Sequence, residues 1–241
     1  RVGGMGTLIA LEGIHALKHA VRFVAMIMDV VTDDKEQALA NADLLAPELR
    51  PLIERRARVV STAEFRSLSG QPVPTHVIAY AKRPDWDLDE ALPQANRPTI
   101  LLDDPRNSKN LGAVIRVAAA TNAAGVLVHG PVDVCDPAAV RGAAGLQWAV
   151  PAVSSESLLT DLDPFRAQFK LVGLDADGTP FDPRSCPGPT IFAFGSERSG
   201  LSAAVRERCD QIVSLPMRPQ VSSLNLATTV SAVMYLRIYA R

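Results

Sequence analysis

The chain has 241 residues, 47% of them hydrophobic and 21% charged, with 25 Lys and Arg against 26 Asp and Glu. That length suffices for one large domain or two modest ones, and the apolar content argues against long disorder. No run of about 18 apolar residues is present, which excludes a membrane-spanning helix. The opening RVGGMGTLIALEG has neither a long apolar core nor a small-residue cleavage site, so no signal peptide is expected. Cys135, Cys186 and Cys209 lie far apart without C-x-x-C spacing, which implies free thiols rather than a disulfide framework or a zinc site. Net charge is −1, and the halves split at residue 95 are both near neutral (11 basic and 13 acidic, then 14 and 13), so neither is a basic module.

Gly3–Gly6 read as a flexible start ahead of any strand. Ile14, Leu17, Val21 and Val24 then recur at helical spacing, with Lys18 and Arg22 between them. His15 and His19 share one face of that helix but find no third ligand nearby, so surface or interface histidines and no metal are expected. Strand-like segments follow at Met26–Val31, Val59–Thr62 and Val77–Ala81, with helical patterns at Lys35–Asn41, Pro47–Arg55 and Ala63–Leu68; the alternation predicts a small α/β sandwich. The segment PDWDLDEALPQANRP is rich in proline and acid and has no periodicity. The expected organisation is therefore a domain at 1–85, a linker at 86–97 and a second domain at 98–241.

The second part alternates more regularly. Strands are expected at Thr99–Leu102, Val126–His129, Leu171–Leu174, Thr190–Phe194 and Gln211–Leu215, with helices between them and a last helix from about Ser223 to Tyr239. Short apolar runs separated by helices predict a mostly parallel sheet covered on both faces.

No strand leads into G-x-G-x-x-G, and neither a P-loop nor a G-x-S-x-G elbow is present, so dinucleotide, P-loop and α/β-hydrolase chemistry have no support. Asp175-Ala-Asp-Gly178 starts like a calcium loop, but Cys186 stands where a bidentate Glu is required, and a plain turn is expected. Three segments are more informative. In DDPRNSKNLGAVIR, Asn110 lies at a helix start and Arg116 six residues on; Arg106, Lys109 and Arg116 place cations around that terminus, which favours an anion such as phosphate. Asn110 as a simple cap is the alternative. In IFAFGSERSGLS a strand ends at Gly195 and Glu197 follows it, where ligands sit in open α/β sheets. In SLPMRPQVSSLNLATTV, Ser222, Ser223 and Asn225 stand beside an apolar helix as buried-looking polar groups that a ligand could satisfy.

Together NLGAVIR, FGSERSGLS and LPMRPQVSSLN, with VRGAAG at Val140–Gly145 between the first two, resemble the motifs of the SpoU/TrmH family of RNA ribose 2′-O-methyltransferases, within the SPOUT superfamily. The opening EGIHALKHAVRF is similar to the ribosomal-protein-like substrate-binding domain often fused ahead of that catalytic domain. The resemblance implies an α/β fold with a deep trefoil knot, a homodimer, and S-adenosylmethionine bound in the knot against Gly195, Leu215 and Leu224, with Met217 as a wall. It implies that Arg116 acts on the ribose hydroxyl, either by holding a substrate phosphate and polarising the hydroxyl or as general base. Asn110, Glu197, Ser223 and Asn225 would orient Arg116, ribose and cofactor. Guanidinium does not readily deprotonate, which favours the first role. Ala227 departs from the family, which commonly carries a second serine there. RNA contacts are expected from Arg106, Lys109, Lys18, His19, Arg22 and the Arg55, Arg56, Arg58 run, unless that run is merely a solvated face.

The expected function is S-adenosylmethionine-dependent 2′-O-methylation of structured RNA in the cytoplasm, ribosomal RNA before tRNA, including resistance methylation. A non-catalytic RNA-binding or ribosome-assembly protein on a decayed methyltransferase fold and a small-molecule methyltransferase are the rivals. The retained Asn110, Arg116, Glu197, Ser223 and Asn225 argue against decay.

Overall fold

The computed structural model describes residues 8–240 except Arg198 and Ser222. The glycine-rich start at Gly3–Gly6 lies outside the described residues. The chain forms two compact units: the first holds the residues up to Asp85 together with Ala143–Ala149, the second Trp86–Gly142 and the residues from Val150 on.

In the first unit the order is β1 (Leu8–Glu12), α1 (Ile14–Arg22), β2 (Ile27–Thr32), α2 (Lys35–Leu45), α3 (Arg50–Arg56), β3 (Ala57–Val59), α4 (Thr62–Ser67) and β4 (Ile78–Lys82). The sheet order is β1-β4-β2-β3, with β4 antiparallel to both neighbours and β3 parallel to β2. Strand β1 is an element the sequence reading omits. The expected strand at Val59–Thr62 instead ends at Val59, because Ser61 accepts a hydrogen bond from the Glu64 amide and caps α4. Of the periodic set, Ile14 and Leu17 of α1 are buried, whereas Val21 is half-buried and Val24 lies beyond the helix end and is exposed; Ala16 and Ala20 complete the buried face instead. Ala143–Ala149 packs on that helix so closely that a Cβ at Gly145 would lie 2.4 Å from the Ala16 carbonyl oxygen. His19 Nδ1 lies 2.8 Å from the Ala144 carbonyl oxygen, and its ring stacks on His15.

The second unit runs β5 (Thr99–Asp103), α5 (Ser108–Ala120), β6 (Gly125–His129), α6 (Pro137–Gly142), β7 (Ala152–Ser155), α7 (Leu158–Asp161), β8 (Lys170–Pro180), β9 (Thr190–Phe194), α8 (Ala203–Arg208), β10 (Gln211–Ser214) and α9 (Leu226–Tyr239). All pairings in its sheet are parallel, in the order β10-β8-β9-β5-β6-β7. Strands β5 and β9 are buried along their whole length, as parallel strands covered on both faces must be. The segment read as a linker is not a bare connection: Ala91 is fully buried against Leu101 and Leu127, with Leu88 and Leu92 packed beside it. A Cβ on Gly125 would lie 2.5 Å from that of Ala91, so this contact requires glycine.

Two departures from the sequence reading shape the site. Asn107, not Asn110, caps α5, accepting from the Lys109 and Asn110 amides at 2.9 and 3.4 Å, which frees the Asn110 side chain for other partners. The expected turn at Asp175–Gly178 is instead part of β8. Its register with β10 breaks there, since Ile212 pairs with Gly173 but Val213 with Thr179, and residues 174–178 form a bulge with no register partner on β10.

Candidate active site

From β5 the chain proceeds outward to β6 and β7 on one side, while β9, β8 and β10 occupy the other. The reversal at β5/β9 is where parallel α/β sheets leave a crevice at the carboxyl ends of their strands. A cleft of about 260 Å³ opens at that end of the second unit. Leu174, Phe194, Leu215, Met217, Leu224 and Leu226 form its apolar wall, while Asp175, Ser196, Glu197, Ser223 and Thr229 supply polar groups.

The loop after β9 is folded tightly on itself. Ser196 and Gly200 exchange both backbone hydrogen bonds, at 3.0 and 3.1 Å, and a Cβ on Gly195 would lie 1.9 Å from the Gly200 carbonyl carbon. The bare backbone at Gly195 is therefore a steric requirement of the loop. Beneath it, Asp103 ends β5 with only 2% of its surface exposed. One of its carboxylate oxygens accepts from the Ser202 amide at 2.6 Å, and the other lies 2.9 Å from His129 Nδ1. Ser202 in turn caps α8. One buried carboxylate thus ties the ends of β5 and β6 to the far end of the Glu197 loop.

Three side chains distant in sequence meet at the rim. The Asn110 amide donates to Glu197 Oε1, and Asn225 Nδ2 donates to Asn110 Oδ1 at 3.1 Å. Asn225 also caps α9, its Oδ1 accepting from the Ala227 and Thr228 amides. Position 227 takes part through its backbone, so alanine there leaves the cap intact. Ser223 lines the cleft but is exposed, and Asn225 is exposed as well, because the segment before α9 runs along the mouth of the cleft. This corrects the expectation of buried polar groups; Ser222 lies outside the described residues.

All four residues expected to contact the cofactor, Gly195, Leu215, Met217 and Leu224, line this one cleft, together with Glu197 and Ser223. Arg116 does not join the Asn110–Glu197–Asn225 set: it is exposed on α5 and makes no hydrogen bond or ion pair among the described residues. Arg106 pairs with Asp104 at 2.5 Å, while Lys109 is exposed. In the first unit Arg22 binds Glu48, Arg56 donates to the Met28 carbonyl, and Arg58 pairs with Asp29 and Glu64. Arg55 is exposed and Lys18 half-buried.

Asp175 and Ala176 line the cleft, where their sequence predicts only a plain turn. The bulge in β8 carries them there. Arg206 of α8 pins that bulge, binding Asp175 at 2.8 Å and both oxygens of Asp177 at 2.9 Å. The Arg206 hydrogen bond holds the Asp177 carboxyl below the usual carboxylate range. The available signal was positional: Asp175 directly follows an apolar strand, at the end of the sheet where ligands bind.

A parallel α/β sheet with a half-apolar cleft at its switch point, rimmed by interlocked amides and a carboxylate, defines a candidate small-ligand site. Residues 97–235 match the SpoU rRNA Methylase family, and the chain belongs to that family. It is 35% identical over 179 residues to a 23S rRNA (uridine(2479)-2′-O)-methyltransferase of Streptomyces viridochromogenes, covering 70% of this chain and 61% of that protein. It is 36% identical over 227 residues to a Mycolicibacterium smegmatis protein named an uncharacterized tRNA/rRNA methyltransferase, covering 92% of this chain and 72% of that one. The crystal structure of the SpoU methyltransferase AviRb from S. viridochromogenes, in complex with AdoMet, superposes with a TM-score of 0.79 at 28% identity, over 96% of this chain and 89% of that one.

Proposed function

We propose that the protein is an S-adenosylmethionine-dependent ribose 2′-O-methyltransferase of structured RNA. The observation that carries this reading is the hydrogen-bonded set Asn225–Asn110–Glu197 at the rim of the switch-point cleft, in a chain of the SpoU family. The cleft residues suit the cofactor. An apolar wall accepts an adenine ring, the close backbone at Gly195 leaves main-chain groups available to polar edges, and Asp175, Glu197 and Ser223 offer oxygens to a cationic, amine-bearing tail. When bound, S-adenosylmethionine supplies a methyl group already activated on sulfonium, so the chain's own task is to align a ribose hydroxyl and ease its loss of a proton.

Asn110 is fixed from both sides, by Asn225 on its oxygen and by Glu197 on its nitrogen, which sets its amide orientation at the cleft mouth. Arg116, a cation without a hydrogen-bond or ion-pair partner among the described residues, holds the RNA phosphate beside the reacting ribose and polarises the hydroxyl. Ser223 and Glu197 position ribose and cofactor. Arg106, Lys109 and the first-unit cations Lys18, Arg22, Arg55, Arg56 and Arg58 contact the RNA backbone. Ribosomal RNA is the favoured substrate, since the Streptomyces relative is named for 23S rRNA.

The reading includes a 1–85 RNA-binding domain ahead of a 98–241 catalytic domain, action in the cytoplasm, a homodimer, and a knotted path for the chain after β10. Support for the path comes from Leu215, Met217, Ser223 and Leu224, which line the same cleft as the Gly195–Gly200 loop while Asn225 reaches back to α5. Interlocking of Asn110, Glu197 and Asn225 speaks against a decayed fold.

The test is a map of 2′-O-methyl groups across ribosomal and transfer RNA with and without the gene, paired with methyl transfer by purified Arg116→Ala protein. One site lost with the gene identifies the substrate. Arg116→Ala is expected to abolish transfer while binding S-adenosylmethionine with a nearly unchanged Kd. Wild-type turnover in that variant would remove Arg116 from the mechanism.

A further inference from the structure

A second cavity, of about 700 Å³ and wholly within the first unit, has no role in the account above. Its lining includes Asp33, Phe65, Arg66, Gln71, Pro74 and His76. His76 has φ +55°, a left-handed conformation that is uncommon for a residue with a side chain. Two bonds hold it there: its amide donates to the Val73 carbonyl at 3.1 Å, and its Nδ1 lies 2.9 Å from Asp33 Oδ1. The Asp33 side chain is only 9% exposed, so solvent competes little for that tie. An unusual backbone held by a shielded carboxylate is the kind of local cost that persists where a side chain must be presented in one orientation. With Nδ1 occupied, Nε2 is the ring atom left for a ligand.

The charged groups around it are the carboxylates of Asp33 and Asp34 and, at another edge, the guanidinium of Arg66. Asp33 is engaged by His76, and Asp34 is engaged as the cap of α2, accepting from the Gln37 amide at 2.9 Å. Arg66, exposed on α4, makes no hydrogen bond or ion pair among the described residues. The cavity therefore offers an apolar wall at Phe65 and Pro74, polar edges at His76 and Gln71, and an unspent guanidinium. A planar ring with polar edges and a nearby phosphate matches that set. RNA recognition commonly takes unstacked bases in this manner.

We propose that this cavity receives one unstacked nucleotide of the RNA, a reading that rests on RNA being the substrate. The test titrates the full-length protein with AMP, CMP, GMP, UMP and, separately, inorganic phosphate, following backbone NMR shifts. At least one mononucleotide is expected to shift residues 65–76, phosphate alone is not, and Arg66→Ala is expected to weaken the nucleotide about tenfold, the worth of one charge-assisted hydrogen bond. With the RNA substrate, Arg66→Ala and His76→Gln are each expected to raise KM for RNA about tenfold while the Kd for S-adenosylmethionine stays fixed. Absence of nucleotide shifts, shifts reproduced by phosphate alone, or an unchanged KM in both variants would overturn the proposal. A wild-type protein that methylates no RNA would overturn the parent reading instead, and the titration would still decide the cavity.

Discussion

A Cβ at Gly195 would lie 1.9 Å from the Gly200 carbonyl carbon and 2.2 Å from the Leu201 nitrogen, both main-chain atoms that cannot rotate away. Gly195→Ala must therefore open the Ser196–Gly200 pairing and shift Glu197 off Asn110. The expected result is at least a tenfold loss in affinity for S-adenosylmethionine, about 1.4 kcal/mol or more, with the rest of the sheet intact. Calorimetric titration checks the affinity and circular dichroism the fold. Unchanged binding would mean that the loop's tightness has no part in holding the cofactor. Asp103 acts through a different route, because its buried carboxylate serves both the Ser202 amide and His129. Asp103→Ala leaves those donors without a partner, at a cost of about 1–3 kcal/mol, whereas Asp103→Asn keeps an acceptor for Ser202 and is expected to recover most of it. Denaturant unfolding of the two variants separates them, and equal losses would show that the charge, not the acceptor, is what matters.

At the scale of elements, Asp210 links the start of β10 to the start of β8. Its carboxylate accepts from the Leu171 amide at 2.8 Å and from Arg166 at 2.7 Å. Partial desolvation pulls its pKa upward, but the Leu171 amide and the Arg166 guanidinium outweigh that, and the net direction is downward. A folded pKa below the unfolded one gives stability that is complete above the ordinary carboxylate range, near 3.9, and that disappears as pH falls through the lowered value. Asp210→Asn is thus expected to cost about 1 kcal/mol at pH 7, after discounting for the solvent around this half-exposed pair. Far less should separate variant and wild type in strong acid. A penalty that stayed constant with pH would assign the effect to shape rather than charge.

Elements were legible in the sequence wherever periodicity was strong. The apolar runs at Thr99–Leu102 and Thr190–Phe194 gave strands in place, and the helix spacing at Ile14–Leu17 gave α1. The strands β1 and β7 escaped because Leu8–Glu12 and Ala152–Ser155 are short and mix small or polar residues into the run. The bulge in β8 escaped for another reason. Asp-Ala-Asp-Gly has turn chemistry, and only Arg206, thirty-odd positions on, reveals that the acids are held in a strand. At the site, the family resemblance of the motifs, not periodicity, singled out Gly195, Glu197, Leu215 and Leu224, and all four line the one cleft. That Asn107 caps α5 while Asn110 turns to Glu197 could not be read from sequence, since both asparagines stand where a cap could be.

For the whole molecule, α9 is the element that a single chain leaves unfinished. Leu226, Val230, Val233 and Met234 are buried, yet Tyr235, Leu236 and Tyr239 stand 40, 46 and 81% exposed on the same helix. A helix apolar on nearly all sides belongs inside a core or at an interface. Arg237 strengthens the point, since it is buried with its Nε lacking a hydrogen-bond partner among the described residues, an arrangement that costs stability unless something supplies an acceptor. A second copy packed on α9 would cover the tyrosines and could supply that acceptor, as closed two-fold pairs commonly do. Sedimentation is therefore expected to find a dimer, and Leu236→Glu to shift it toward monomer by placing a charge in an apolar contact. If the α9 interface also completes the RNA site, Leu236→Glu protein should lose methyl transfer when dilute and regain it as concentration drives pairing. A wild-type protein that sediments as a monomer and still transfers methyl groups would refute the dimer and require another cover for α9.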